Sequence, residues 1–186
     1  MSPDDLPNLE LPTVEDSKVL FEGFGQLRCD QLRLPNQQLY DYYTYVTSAE
    51  AVMVVATTRE GKIVVNREYR HPTSQVLLGL PGGLLDPGED VLTGAERELM
   101  EETGYSAESF HLIGNAFPFP GASSQKSCFV HANGAHRVAD PALEAAEILH
   151  SVELSEKRLL SWIADGHPVD GALCMALYFF DRKGCI

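Results

Sequence analysis

The hydrophobic pattern of the chain predicts a series of short strands interrupted by helical segments. Runs rich in β-branched residues predict buried strands at AVMVVATT from Ala51, IVVNREY from Ile63 and SQVLLGL from Ser74. SFHLIGNAFPF, KSCFVHANG and EILHSVEL predict three later strands. Because strands flank helical segments on both sides, the pattern predicts an α/β fold, a mixed sandwich of sheet and helices.

Three segments have the signals of helices. The first is expected from Asp90 to Thr103, with Gly104 as its C-terminal stop. SEKRLLSWIADG opens with a serine that can cap a helix and then places apolar residues at helical spacing. GALCMALYFF predicts a buried last helix.

The first 48 residues differ in character from the rest. Residues 1–16 are rich in proline and acidic residues, which predicts a loose leader. Three β-prone pieces follow between residues 17 and 48, and they predict a small antiparallel extension. We therefore expect a leader followed by a single domain over residues 17–186.

Composition restricts the class of protein. The 186 residues suffice for one domain, and 44% hydrophobic and 22% charged residues are typical of a soluble globular protein. We find no apolar run of about 18 residues and no signal peptide, so we expect no membrane span and a cytoplasmic location. The cysteines have neither disulfide nor metal spacing, which predicts reduced thiols at Cys29, Cys128, Cys174 and Cys185.

The net charge of −13 argues against nucleic acid as a partner, because phosphate backbones repel such a surface. The net charge does not exclude a small diphosphate as a ligand, because bound metal ions can reverse the local sign of the charge. Simple solubility is the other explanation of the acidic composition.

The segment from Pro81 to Tyr105 carries the chemistry. Glu98, Glu101 and Glu102 lie at positions i, i+3 and i+4, so a helix places them on one face, where like charges repel. Such a cluster is reasonable if it holds Mg²⁺ or Mn²⁺, which prefer oxygen ligands. Arg97 can pair with Glu101 four residues later. The alternative is a solvated acidic helix face.

The spacing over residues 83–105 resembles the Nudix box of the Nudix hydrolases. Gly83, then Glu89, then Arg97-Glu98-Leu99-Met100-Glu101-Glu102-Thr103-Gly104 match its glycine and polar positions. Tyr105 departs from the aliphatic residue usual at the end of the box. Gly94 stands where alanine is usual, at a cost of about 1 kcal/mol unless close packing requires it.

The resemblance implies a Nudix α/β/α sandwich with a mixed sheet and a set of site residues. Glu98, Glu101, Glu102 and the carbonyl of Gly82 would bind metal, Glu89 would be an auxiliary acid, and Arg97 would orient the carboxylates. The metal ions would neutralise the diphosphate and activate the attacking water.

Segments outside the box resemble the branch of ADP-ribose and nucleoside-diphosphate-sugar pyrophosphatases. These are NREYRHP from Asn66, LPGG from Leu80 and FPFPG from Phe117. Arg70 is the best candidate for binding phosphate, and Arg67 is a weaker one, with a surface ion pair as the alternative for Arg70. The resemblance also implies a homodimer built with the N-terminal strands.

Two positions depart from that branch. Gln125 stands where a catalytic glutamate is common, so the base could be Glu98, Glu144 or Glu147. Gly79 stands where the branch tends to have an acidic residue. Neither change affects the predicted metal site.

The expected function is metal-dependent hydrolysis of ADP-ribose or a nucleoside diphosphate sugar to a nucleoside monophosphate and a sugar phosphate. One alternative is a Nudix enzyme acting on nucleoside triphosphates or dinucleoside polyphosphates. A third is a non-catalytic module that senses nucleotide sugars, for which Gln125 is the support.

Overall fold

Two units make up the part of the chain that the computed structural model describes, residues 7–47 and 49–182. One unit comprises Met1–Ser48 together with Phe119–Gln125, and the other comprises Ala49–Pro118 and Lys126–Ile186. The unit that contains the predicted N-terminal extension therefore also includes a short segment from the middle of the chain, Phe119–Gln125. The prediction of a single domain over residues 17–186 stays a prediction.

The N-terminal unit contains a three-stranded antiparallel sheet in the order β1-β2-β3, formed by Thr13–Glu22, Gln26–Arg33 and Leu39–Val46. β1 begins inside the predicted loose leader, so that boundary was wrong for residues 13–16. The register pairs Thr13 with Arg33, whose Nε donates to Glu15 Oε1 over 2.8 Å. The acidic Glu15 is therefore accommodated in the strand, because its charge is paired with that of Arg33. Residues 1–6 of the leader lie outside the described residues.

The second unit has strands and helices in the alternation that the sequence predicts. Its strands are β4 (Ala51–Thr58), β5 (Lys62–Arg70), β6 (Gln75–Gly79), β7 (Gly82–Leu84), β8 (Tyr105–Ser106), β9 (Ser109–Ala116), β10 (Ser127–Arg137) and β11 (Leu149–Ser155). Its helices are α1 (Val91–Thr103), α2 (Glu156–Ala164) and α3 (Gly171–Arg182).

The sheet of this unit is mixed. Its main path runs β11-β5-β4-β10-β8, while β6 pairs with β5, β7 with β4 and β9 with β10. β4 and β10 are parallel and the other pairs are antiparallel. One core joins one sheet face to α2 and α3, and a second joins the opposite face to α1. This arrangement confirms the predicted α/β/α sandwich.

Helix α1 begins and ends where the sequence predicts. The side chain of Asp90 accepts a hydrogen bond from Leu92 N over 2.9 Å and caps the helix. Gly104 ends it in the left-handed conformation, with φ of 72°. Gly82 and Gly83 lie in the short strand β7, whose backbone pairs with β4.

The thiols of Cys29, Cys128 and Cys174 are free, and Cys185 lies outside the described residues. Within the described ranges, none of the helices is both long and apolar enough to cross a membrane.

Candidate active site

Arg97 on α1 connects the helix to the loop that precedes it. Its Nε and Nη2 donate to the two carboxylate oxygens of Glu89, each over 2.9 Å. Nη1 donates to Glu98 Oε1 over 2.8 Å and to Glu101 Oε2 over 3.0 Å. The hydrogen bonds from Arg97 and from the Asp86 backbone hold the pKa of Glu89 at about 2. One guanidinium thus orients three carboxylates, including the predicted pair with Glu101.

Glu98 is buried against Gly83, which precedes the helix. A Cβ atom on Gly83 would lie 2.6 Å from Glu98 Oε1, so a side chain at position 83 would displace this carboxylate. Burial raises the pKa of Glu98, and the neighbouring Arg97 opposes that rise. The carboxylate is therefore held against backbone that has no side chain.

Glu102 is the most enclosed carboxylate of the helix, at 5% exposure. Its Oε2 accepts hydrogen bonds from Asn66 Nδ2 over 2.8 Å and from Gly82 N over 2.9 Å. Burial raises the pKa of Glu102 to about 8, and the charges of Glu98, Glu68 and Glu147 add to the rise. Among the described residues, no cationic side chain forms a hydrogen bond or ion pair with Glu102.

The three box carboxylates fit a hard divalent cation in their chemistry. Each has one oxygen that accepts no hydrogen bond from the described residues, namely Glu98 Oε2, Glu101 Oε1 and Glu102 Oε1. Such oxygens are the ligands that Mg²⁺ and Mn²⁺ prefer. Within residues 7–47 and 49–182, however, no three acidic, histidine or cysteine side chains already surround a common point as a metal site.

The alternation of β5 decides which of its side chains face α1. Asn66 contacts Glu102, so period two puts Glu68 and Arg70 on the same face. Arg70 Nη1 lies 2.8 Å from Glu68 Oε1. Arg67 is exposed and falls on the opposite face, which carries Val65 of the other core. The structure therefore places Arg70 on the side of the cluster but does not bring Arg67 to it.

The two base candidates outside the box differ in their relation to the cluster. The charge of Glu147 contributes to the raised pKa values of Glu68, Glu98 and Glu102. Its Oε2 accepts a hydrogen bond from Glu144 N over 2.7 Å, whereas Glu144 itself is exposed. Glu147 is thus the candidate whose charge acts on the box carboxylates.

Four polar residues at this site are not among the predicted site residues: Asn66, Glu68, Ser151 and Asp170. One signal was available, because Asn66 interrupts an apolar strand at a position that the pattern marks as buried. Asn66 pairs with Gly79, where a Cβ atom would lie 3.5 Å from Asp170 Cβ. Asp170 therefore lies beside Gly79, where the branch usually has an acidic residue, and its charge adds to the rise that burial causes in the pKa of Glu68.

The two unusual positions of the box have packing explanations. A Cβ atom on Gly94 would lie 2.3 Å from Leu85 Cδ2 and 3.0 Å from Glu89 Oε2, so glycine permits the close approach of helix and loop. The Tyr105 hydroxyl donates to Glu153 Oε1 over 2.8 Å, and Lys62 Nζ lies 3.0 Å from Glu153 Oε2. Tyr105 thereby connects the end of the box to β11.

Gln125 belongs to the N-terminal unit. Its backbone N–H donates to Ser123 Oγ over 3.1 Å. In the same unit the Tyr42 hydroxyl donates to the Gly121 carbonyl over 2.9 Å. These contacts order the segment that follows Pro118.

Comparison with known families identifies the class of protein. The NUDIX domain matches residues 47–163, which include the whole acidic cluster. The chain belongs to the NUDIX domain family. The predicted assignment to the Nudix hydrolases is thereby confirmed.

The relatives agree with the predicted branch. The chain is 26% identical over 182 residues to the ADP-ribose pyrophosphatase of Bacillus subtilis strain 168, covering 96% of each chain. It is 29% identical over 175 residues to the methanol dehydrogenase activator of Bacillus methanolicus, covering 94% of each. The crystal structure of an ADP compounds hydrolase superposes with a TM-score of 0.83 at 24% identity, covering 97% of this chain and 100% of that one. This last likeness confirms the fold.

Proposed function

We propose that the protein hydrolyses the diphosphate linkage of ADP-ribose or a nucleoside diphosphate sugar, with Mg²⁺ or Mn²⁺, to a nucleoside monophosphate and a sugar phosphate. The observation that carries the proposal is the acidic cluster, in which Glu102 is buried without a cationic partner among the described residues. Burying such a charge is expensive unless a cation joins it. The likeness to an ADP-ribose pyrophosphatase supports the substrate class.

In this proposal Glu98, Glu101, Glu102 and the Gly82 carbonyl would hold the metal. Bound there, the metal would neutralise the diphosphate and lower the pKa of the attacking water.

The remaining residues orient the reacting groups. Arg97 and Glu89 keep the helix fixed to its preceding loop through two parallel hydrogen bonds. Arg70 leaves Glu68 and binds a phosphate oxygen, for which its guanidinium is suited. Glu147 accepts the proton of the attacking water, because its charge already acts on the box carboxylates while Glu144 is exposed.

The test is a phosphate-release assay on ADP-ribose and several nucleotide sugars, in which a phosphatase acts only on the monophosphate products. Glu102→Gln should lower kcat by at least about 100-fold, because it removes a metal-binding charge. Glu96→Gln is the matched control, because Glu96 is an exposed glutamate of the same helix, and it should behave as wild type.

The products distinguish the proposal from its alternatives. Pyrophosphate released from a nucleoside triphosphate would indicate the triphosphate enzyme instead. Binding of nucleotide sugars without any product, in the presence of metal, would indicate a sensing module.

A further inference from the structure

Asn66 lies at the centre of a hydrogen-bonded chain that ends on Glu102. It is fully buried in the middle of β5. Its Nδ2 donates to Glu102 Oε2 over 2.8 Å, and its Oδ1 accepts from Ser151 Oγ over 2.7 Å. Gly82 N donates to the same Oε2 over 2.9 Å. One carboxylate oxygen of Glu102 therefore receives two donors from two different strands.

We propose that Asn66, held in place by Ser151, is a positioning residue that orients Glu102 for metal binding. The inference rests on the proposed metal-dependent function. Two hydrogen bonds to Oε2 fix the rotation of the carboxylate, and this determines where Oε1 points. Oε1, which accepts no hydrogen bond from the described residues, is the oxygen left for the ion.

The amide suits this task because it is a neutral donor. An arginine or lysine at position 66 would orient Glu102 but would also neutralise the charge that attracts the cation. The preceding Val64 and Val65 would predict an apolar residue at this position, but such a residue would leave Oε2 with a single donor. Asn66 therefore orients the carboxylate without neutralising its charge.

Ser151 holds the oxygen end of the Asn66 amide. It lies on β11 directly opposite Asn66 in the β5–β11 register. Its hydroxyl donates to Oδ1, while the amide NH₂ faces the carboxylate, which can only accept when it is ionised. Ser151 Oγ also lies 3.4 Å from the backbone carbonyl of Glu102. Loss of this hydroxyl should leave Oδ1 without its donor and weaken the hold of the amide on Glu102.

The test measures Mn²⁺ binding without substrate, by the electron paramagnetic resonance signal of free Mn²⁺, alongside kcat and KM. Asn66→Leu, similar in size, should weaken Mn²⁺ binding by about 10- to 100-fold, as loss of a residue that orients a ligand does. KM for ADP-ribose at saturating Mn²⁺ should stay within about twofold. Ser151→Ala should weaken Mn²⁺ binding in the same direction, and Ser151→Thr, which keeps the hydroxyl, should restore it.

Thr57→Val is the matched control. It breaks the 2.8 Å contact between Thr57 Oγ1 and His131 Nε2 in the same sheet, away from Glu102. It should lower stability while leaving the Mn²⁺ affinity as in wild type.

The outcomes separate this inference from the proposed function. Wild-type Mn²⁺ binding and turnover, with equal Mn²⁺ affinity in Asn66→Leu, would overturn the positioning role alone. If Asn66→Leu does not fold, the test rests on Ser151→Ala and Ser151→Thr. A wild-type Mn²⁺ affinity in Ser151→Ala would then overturn the positioning role of Asn66. A wild type that binds no Mn²⁺ overturns both.

Discussion

Arg97 contacts three carboxylates at once, which a lysine in its place could not do. Its planar guanidinium donates hydrogen bonds to both oxygens of Glu89, while Nη1 donates to Glu98 and Glu101. Arg97→Lys should lower kcat by about 10- to 100-fold, because the carboxylates lose their orientation. It should lower the free energy of unfolding by about 2 kcal/mol, since the lost bonds join charged groups. Steady-state kinetics and urea unfolding measure the two effects.

Arg59→Lys is the control for that substitution. Arg59 pairs with Glu108, and both side chains are at least half exposed, so the change should stay within about 0.5 kcal/mol and leave kcat unchanged. If the Arg97 variant behaved like the Arg59 variant, Arg97 would not orient the cluster.

At the residue scale, the sequence predicts contacts between site residues that are close along the chain and does not predict contacts between residues that are far apart. Glu98, Glu101, Glu102 and Arg97 lie within one helix, so their spacing alone puts them on one face. Asn66 meets Glu102 across 36 positions of sequence, and no local pattern predicts that contact. Arg67 was an expected phosphate ligand, yet a one-residue difference from Glu68 turns its side chain to the other face of the sheet.

At the scale of elements, α1 approaches its loop so closely that one methyl group should disturb both. Gly94→Ala should raise helix propensity by about 1 kcal/mol, but the new Cβ would meet the buried Leu85 and the fixed carboxylate of Glu89. We expect a net loss of about 1 to 2 kcal/mol in the free energy of unfolding, measured by urea unfolding.

The control for Gly94→Ala is Gly171→Ala, in the first turn of α3. Nothing lies within 4 Å of a Cβ atom there, so alanine should be neutral or stabilise by up to about 1 kcal/mol. A Gly94 variant as stable as the Gly171 variant would mean that the contact between helix and loop relaxes freely.

Helices were predicted better than strand ends because their signals are local. Asp90, Gly104 and Ser155 cap the helices that the sequence predicts. The start of β1 and the short β7 depend on partner strands, Gln26–Arg33 and Ala51–Thr58, that the local sequence does not reveal.

At the scale of the whole molecule, the charge of −13 makes the protein a poor partner for anions unless the site is neutralised. The charge of the buried cluster has the same sign as the rest of the protein, so a bound cation and the fold should stabilise each other. The predicted homodimer and cytoplasmic location rest on resemblance and composition, and both stay predictions.

The coupling between folding and metal binding should reverse the order of stability of wild type and Glu102→Gln. Without metal the variant should be the more stable protein, and with Mn²⁺ the wild type should be. The pKa of Glu102 is raised to about 8 from 4.5, so the folded state favours the protonated form. Its contribution to stability is fully present below about pH 4.5 and is lost as pH rises through about 8.

Without metal, the wild type should therefore lose up to a few kcal/mol relative to Glu102→Gln between pH 5 and pH 8. Glutamine is neutral throughout and keeps an oxygen that can accept from Asn66 and Gly82. With Mn²⁺ at 100 times its dissociation constant, the wild type should gain about 2.7 kcal/mol and the variant much less. Urea unfolding in EDTA and in Mn²⁺, at both pH values, measures the reversal, and Glu96→Gln should follow the wild type. Parallel behaviour of wild type and Glu102→Gln under all four conditions would show that this carboxylate is linked neither to protons nor to metal, because either linkage would separate the two curves.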